Sequence, residues 1–289
     1  MIVSVGLIGD PVAHSISPVM QNAAFAQHGL AESYALWPTP ATKLPRRIAA
    51  LRESSMRGAN VTIPHKTAVI PLLDDLDPTA AAVGAVNTIV RTTEGHLHGL
   101  NTDVRGFMRA LRSIGFDATQ RAVVLLGAGG AARAVGYGLL HAGVESLTVV
   151  NRTIERAESL LADLLATTER DPQLLALSPD DSRLADVVAS ADLLINATSV
   201  GLDGVSLPLS PALLGPHLLV VDLIYRTTPL LRAAESCGAV TQDGLEMLVQ
   251  QGALAFEAWT GLPAPVETMR AAAWRALQAH QGEDEASPR

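Results

Sequence analysis

The segment Arg121–Arg133, reading RAVVLLGAGGAAR, constrains the fold more than any other part of this chain. An apolar run, Ala122–Leu126, passes directly into Gly127-Ala128-Gly129-Gly130-Ala131-Ala132. That order predicts a buried strand, a tight turn and a helix. The first glycine permits the turn, and the second lets backbone approach a pyrophosphate. Ala132 stands at the third, small position where helix and strand pack closely. The helix start then offers unpaired N–H groups to phosphate. Residues Gly127, Ala128, Gly129, Gly130 and Ala131 are therefore candidate dinucleotide contacts.

Cofactor choice is read at the end of the next strand. An NAD site places a carboxylate there, about 20 residues on, to bind the ribose 2′-hydroxyl. Here the strand ends Val150-Asn151-Arg152-Thr153, with Arg156 one turn later. No acid fills the position, and a planar guanidinium suits a 2′-phosphate. The expected cofactor is NADP. The plainer reading of Arg152 is a surface charge.

Strand-like and helix-like stretches alternate throughout, which predicts an α/β protein, and 289 residues suggest two domains. In the first part, strands are expected at Ser4–Gly9, Ser33–Trp37, Ala59–Thr62, Val86–Arg91 and His96–Leu100. Ser17-Pro18 opens a helix to about His28, with Gly29 as its stop, and Asp103 could cap another running to Ile114. In the second part, strands are expected at 122–126, 146–150, 174–177, 192–196, 218–222 and 239–241, with helices such as Ala131–His141 and Thr153–Ala166 between them. Six strands with crossovers match a doubly wound nucleotide-binding sheet. Asp180–Asp186 reads as a solvated face. From Gly244 the chain reads as helical to about Ala279, and Gln281–Arg289 as a frayed tail.

A net charge of −8 argues against nucleic-acid or anionic-membrane partners. Cys237 stands alone, so no internal disulfide forms, and a reducing cytoplasmic setting is expected. The start MIVSVGLIGDP lacks a basic n-region and reads as a strand rather than a signal peptide. No apolar run reaches the length of a membrane span.

Two stretches in the first part carry polar groups that folding does not require: Asn60-Val-Thr62-Ile-Pro64-His65-Lys66 and Asn101-Thr102-Asp103. Of 21 basic residues only Lys43 and Lys66 are lysines. A lysine can shuttle a proton, which arginine cannot. Lys66 is thus a candidate proton carrier or an ordinary exposed residue, and Asp103 its partner or only a helix cap. Asn60 and Asn87 could be turn residues, and Ser15 and Ser17 caps. His96 and His98 lack a third ligand, so no metal site is expected. No G-x-S-x-G elbow, H-E-x-x-H or P-loop occurs.

Together these segments resemble the shikimate dehydrogenase family. The likeness runs in order through Gly9-Asp-Pro11, His14-Ser15-Ile-Ser17-Pro18, Gly58–Lys66, Gly84-Ala-Val-Asn87-Thr88 and Asn101-Thr-Asp103. It continues in Gly127–Arg133, Asn151-Arg-Thr153, Asn196-Ala-Thr198, Asp222-Leu-Ile-Tyr225 and Asp243–Gln251. The resemblance implies reversible NADPH-dependent reduction of 3-dehydroshikimate to shikimate, with Lys66 and Asp103 as the catalytic pair. It implies a substrate pocket of Ser15, Ser17, Thr62, Asn87, Tyr225 and Gln251, and adds Thr198, Gly244 and Met247 to the cofactor contacts.

It further implies a substrate/catalytic domain over 1–104, rejoined by 242–289, and a Rossmann NADP-binding domain over 105–241. The site is expected in a cleft between them, closing by hinges near Asp103–Gly106 and Thr241–Gly244. A monomer or homodimer is expected. Two departures stand out. Tyr225 is followed by Arg226-Thr-Thr-Pro229, two residues shorter than is usual in the family, and Glu246 replaces a small residue. The rival readings are a quinate-oxidising relative using NAD(P), a non-catalytic NADP-binding regulatory protein, and a folate-type dehydrogenase. Ser17 and Arg152 argue against the first, the Lys66–Asp103 pair against the second, and the Ser15–Ser17 pair against the third.

Overall fold

The computed structural model describes residues 2–286. Two compact units divide the chain: 1–106 with 248–289, and 107–247. In the first unit the elements run β1 (Ile2–Gly9), α1 (Ser17–Gln27), β2 (Glu32–Pro38), α2 (Leu44–Ala50) and β3 (Gly58–Val61). They continue with β4 (Asp75–Leu76), α3 (Pro78–Val83), β5 (Thr88–Arg91), β6 (Leu97–Leu100) and the start of α4 (Asp103–Ser113). The strands form one sheet in the order β2-β1-β3-β5-β6-β4. β1 runs parallel to β2 and β3, whereas β5 is antiparallel to both β3 and β6. The end of β3, the start of β5 and the end of β6 therefore share one edge of the sheet, with the end of β1 beside them. Ile8, Ala59, Val61, Ile89 and Leu97 fill one face with Leu44, Ile48 and Leu51 of the α2 region.

The second unit holds β7 (Ala122–Leu126), α5 (Gly130–Ala142), β8 (Ser146–Val150), α6 (Ile154–Leu165), β9 (Gln173–Leu177) and α7 (Leu184–Ala189). β10 (Leu193–Asn196), β11 (Leu219–Asp222), α8 (Pro229–Ser236) and β12 (Val240–Gln242) complete it. Its sheet is wholly parallel, in the order β12-β11-β10-β7-β8-β9. Central strands buried on both faces explain the unbroken apolar runs. One core lies between the sheet and α4–α6, through Leu111, Val135, Leu139 and Leu164. The other lies under α7 and α8, through Val188, Leu230 and Leu231. Winding reverses between β7 and β10, so the crevice that binds ligands in such sheets opens at their C-terminal ends.

The chain then forms α9 (Leu245–Thr260) and α10 (Val266–Ala286), which from Leu248 onward belong to the first unit. The stretch expected to be helical forms two helices. Gly261 takes φ +70°, and Pro263 and Pro265 lack the N–H groups a continuing helix needs. Gln281–Ala286, expected to fray, continue α10, and 287–289 lie outside the described residues. The expected solvated face at Asp180–Asp186 runs into the start of α7. No described helix is long and apolar enough to cross a membrane.

Candidate active site

The shared sheet edge of the first unit gathers the polar residues. Lys66 follows β3, Asn87 precedes β5, and Asp103 follows β6. Lys66 Nζ donates to Asp103 Oδ2 at 2.6 Å, with side-chain exposures of 15% and 6%. Asn87 Nδ2 donates to Asp103 Oδ1 at 2.8 Å and, at 3.4 Å, to Gln251 Oε1 from α9. Both carboxylate oxygens are thus occupied. A buried ion pair contributes little net stability, because desolvation offsets its attraction.

The capping role foreseen for Asp103 falls to Asn101, whose Oδ1 accepts from Val104 N at 3.3 Å. Asp103 is the first residue of α4 rather than its cap, which leaves its carboxylate to Lys66 and Asn87. Asn60 is likewise no turn residue. It lies buried in β3 and donates to the Asn87 carbonyl at 3.1 Å. Gly106, one turn into α4, lets the α9 backbone come close. A Cβ there would lie 2.7 Å from Gln251 Cβ and 2.8 Å from Gln251 N. The absent side chain seats Gln251 beside Asn87, a requirement that no local sequence pattern announces.

Ser15 and Ser17 leave the same edge after β1. Ser15 Oγ donates to Ser17 Oγ at 3.1 Å and accepts from Ser17 N at 3.3 Å. Ser17 Oγ keeps its own proton for an acceptor. It sits at the start of α1, which has no acidic residue in its first turn and no side-chain cap. Such a helix end favours an anion. Thr62 stands just past β3, where Thr62 N donates to Ile8 O and its methyl group would meet a Cβ at Gly9. His98 pairs with Asp75 at 2.6 Å, and no group of metal-ligating side chains forms among the described residues.

In the second unit, Gly127 takes φ +103°, and a Cβ there would meet Thr198 Cγ2 at 2.9 Å. Gly129 precedes α5 with open space where a side chain would be, and makes no side-chain cap. Gly130 and Ala131 open the helix, and Ala132 is fully buried. This cradle fits a pyrophosphate. Asn151 Nδ2 donates to Thr153 O at 2.7 Å, which braces the loop after β8. Arg152 and Arg156 are exposed there and make no ion pair among the described residues. A 2′-phosphate would meet two available cations.

Across the crevice, Thr198 N and Oγ1 both donate to Asn196 Oδ1, and Asn196 Nδ2 donates to Asp222 Oδ1 at 3.1 Å. Asp222 also accepts from Ile224 N and Thr228 Oγ1. Burial pushes its carboxyl up, and nearby Asp243 adds to that, while the three donors oppose it. Burial likewise raises Asp243. Gly244 lies against Leu223, where any Cβ would strike the Leu223 carbonyl. Met247 packs into the core with Phe107 and Leu111. Tyr225 is half-buried in the bend after β11.

Comparison with known proteins covers both units. Residues 7–89 match the family model described as the shikimate dehydrogenase substrate binding domain. Residues 109–202 match that for shikimate / quinate 5-dehydrogenase, and 244–273 the shikimate 5'-dehydrogenase C-terminal domain. The chain is 46% identical over 278 residues to a shikimate dehydrogenase (NADP(+)) of Symbiobacterium thermophilum, covering 94% of each. A Thermus thermophilus shikimate 5-dehydrogenase solved with NADP(H) and shikimate superposes with TM-score 0.84 at 40% identity, covering 95% of this chain and 99% of that one. A Corynebacterium glutamicum quinate dehydrogenase solved with NAD gives TM-score 0.85 at 33% identity, covering 93% and 98%.

Proposed function

Because this chain belongs to the shikimate dehydrogenase family, we propose that the Lys66–Asp103 pair carries the proton of its reaction. The chain is an NADP-dependent oxidoreductase that interconverts shikimate and 3-dehydroshikimate. NADPH, when bound, supplies the hydride. Reducing a ketone also requires a proton on the oxygen as alkoxide character develops. Lys66 Nζ gives that proton to the carbonyl oxygen, and in the reverse direction takes it from the hydroxyl. Asp103 holds Nζ in place through Oδ2, and Asn87 keeps Asp103 from turning. The observation that carries the assignment is the 2.6 Å bond between two nearly dehydrated charges.

Ser15 and Ser17 hold the substrate carboxylate with the α1 N–H groups, and Thr62, Asn87, Tyr225 and Gln251 contact the ring hydroxyls. Neutral donors suit this task, since they bind the carboxylate without adding another ion. Gly127, Ala128, Gly129, Gly130 and Ala131 cradle the pyrophosphate. Asn151, Arg152, Thr153 and Arg156 hold the adenosine 2′-phosphate. Thr198, Gly244 and Met247 complete the cofactor contacts. A cytoplasmic monomer or homodimer fits this reading.

Ser17→Ala tests the carboxylate assignment. Losing one hydrogen bond to an ionised group should raise the KM for shikimate about ten-fold, with kcat within about three-fold. Steady-state kinetics would show it. An unchanged KM removes Ser17 from the pocket.

A further inference from the structure

Behind the Lys66–Asp103 pair, the first unit holds a line of buried polar groups, of which Tyr34, Asn60 and Thr88 are not among the proposed substrate contacts. Tyr34 Oη donates to Asn60 Oδ1 at 2.9 Å. Asn60 Nδ2 donates to Thr88 Oγ1 at 3.0 Å and to the Asn87 carbonyl at 3.1 Å. Thr88 Oγ1 donates to Asn87 Oδ1 at 3.1 Å, and Asn87 Nδ2 to Asp103 Oδ1 at 2.8 Å.

The direction of both asparagine amides is forced. The Asn87 carbonyl can only accept, so Asn60 must turn its Nδ2 toward it, which leaves Asn60 Oδ1 to accept from Tyr34. Thr102 N can only donate, and it bonds Asn87 Oδ1 at 2.8 Å, so Asn87 must turn its Nδ2 toward Asp103. Thr88 Oγ1 accepts a hydrogen bond from Asn60 Nδ2, and its own proton reaches Asn87 Oδ1 at 3.1 Å, with Thr102 Oγ1 at 3.2 Å beside it. With the Thr88 proton on Asn87 Oδ1, every donor in the line points at the carboxylate. Bonds aligned this way polarise one another in the same sense.

Tyr34 is a fixed end. Its backbone N donates to Asn22 Oδ1 at 2.7 Å, and Asn22 Nδ2 donates back to Tyr34 O at 3.0 Å. Its ring sits 6.0 Å from that of Trp259. Burial pushes the phenol well above its usual range, so it remains a donor. The titratable groups along the line are Tyr34, Asp103 and Lys66. His65, next to Lys66, turns Nε2 to the Thr39 carbonyl at 2.6 Å instead.

We propose that Tyr34, through Asn60 and Thr88, is a positioning residue that orients and electrostatically supports the Asp103 carboxylate, and through it Lys66. This rests on the pair's assignment above. Removing a donor anywhere along the line leaves more negative charge on Asp103, so the pair binds its proton more tightly.

The test compares Tyr34→Phe, Thr88→Val and Thr88→Ser with the parent and with Lys66→Ala. The readouts are kcat and KM for shikimate, the pH profile of kcat for its oxidation, and the thermal midpoint. Tyr34→Phe and Thr88→Val should each lower kcat about ten-fold and move the rising limb upward by about half a pH unit, with KM within about two-fold. Thr88→Ser, which keeps the hydroxyl, should restore the parent limb. If the limb stays at the parent position in Tyr34→Phe or Thr88→Val, the proposal is wrong, whatever the thermal midpoint does. Should Lys66→Ala lose activity while Tyr34→Phe behaves as the parent, only this proposal fails. A Lys66→Ala variant that keeps the parent kcat overturns the catalytic pair and this proposal together.

Discussion

Lys66→Ala is expected to lower kcat by about a thousand-fold while the KM for shikimate stays within about two-fold, the size that fits a lost general acid–base group. Three features set this expectation. Lys66 Nζ is held at 2.6 Å from Asp103, so its position is defined before substrate arrives. The lysine has little water around it, so a methyl group there leaves no ready replacement donor. The contacts proposed to set affinity lie with Ser15, Ser17 and Gln251, which the substitution leaves in place. Asp103 loses its counter-ion, so the thermal midpoint should also fall. Kinetics well below the variant's own transition keep the two effects apart. A KM-only effect would make Lys66 a binding residue and leave the proton carrier unidentified.

Arg152→Ala is expected to lower kcat/KM for NADP by about ten- to a hundred-fold and to leave that for NAD within about two-fold. A charge-assisted, bidentate guanidinium–phosphate contact is worth roughly 1.5–3 kcal/mol. NAD carries no 2′-phosphate, so it has nothing to lose. Arg156 lies in the first turn of α6 and would supply a second cation, which sets the lower end of the range. The ratio of the two specificity constants is the number to measure. An equal loss for both cofactors would remove Arg152 from the 2′-phosphate and return it to the surface charge that its sequence context also allows.

The cofactor half of the proposed site is the more local in sequence. Gly127, Gly129 and Ala132 act within one strand–turn–helix unit, so their spacing carries the geometry. Arg152 is read the same way, from the strand directly before it. The substrate half depends on strands that meet across long separations. Asn60, Thr88 and Leu100 stand side by side only through the antiparallel register of β3, β5 and β6. Nothing local to Tyr34 or Thr88 marks them as linked to Asp103 through Asn60 and Asn87.

The same limit explains the misassigned cap of α4. Asn101 and Asp103 both suit the start of a helix, and tertiary bonds to Lys66 and Asn87 decide which one caps. Helices α2 and α3 are too short for a period to show, and both begin at or beside proline. The break after α9 is marked by Gly261, Pro263 and Pro265.

The central claim is that this chain turns over shikimate with NADP, and a fold shared with a quinate dehydrogenase makes substrate and cofactor the points to test together. The direct measurement is kcat/KM for shikimate and for quinate, each with NADP and with NAD, followed by the absorbance of the reduced nicotinamide. The account predicts that shikimate with NADP exceeds every other pairing by at least about ten-fold. A higher value for quinate with NAD would contradict it.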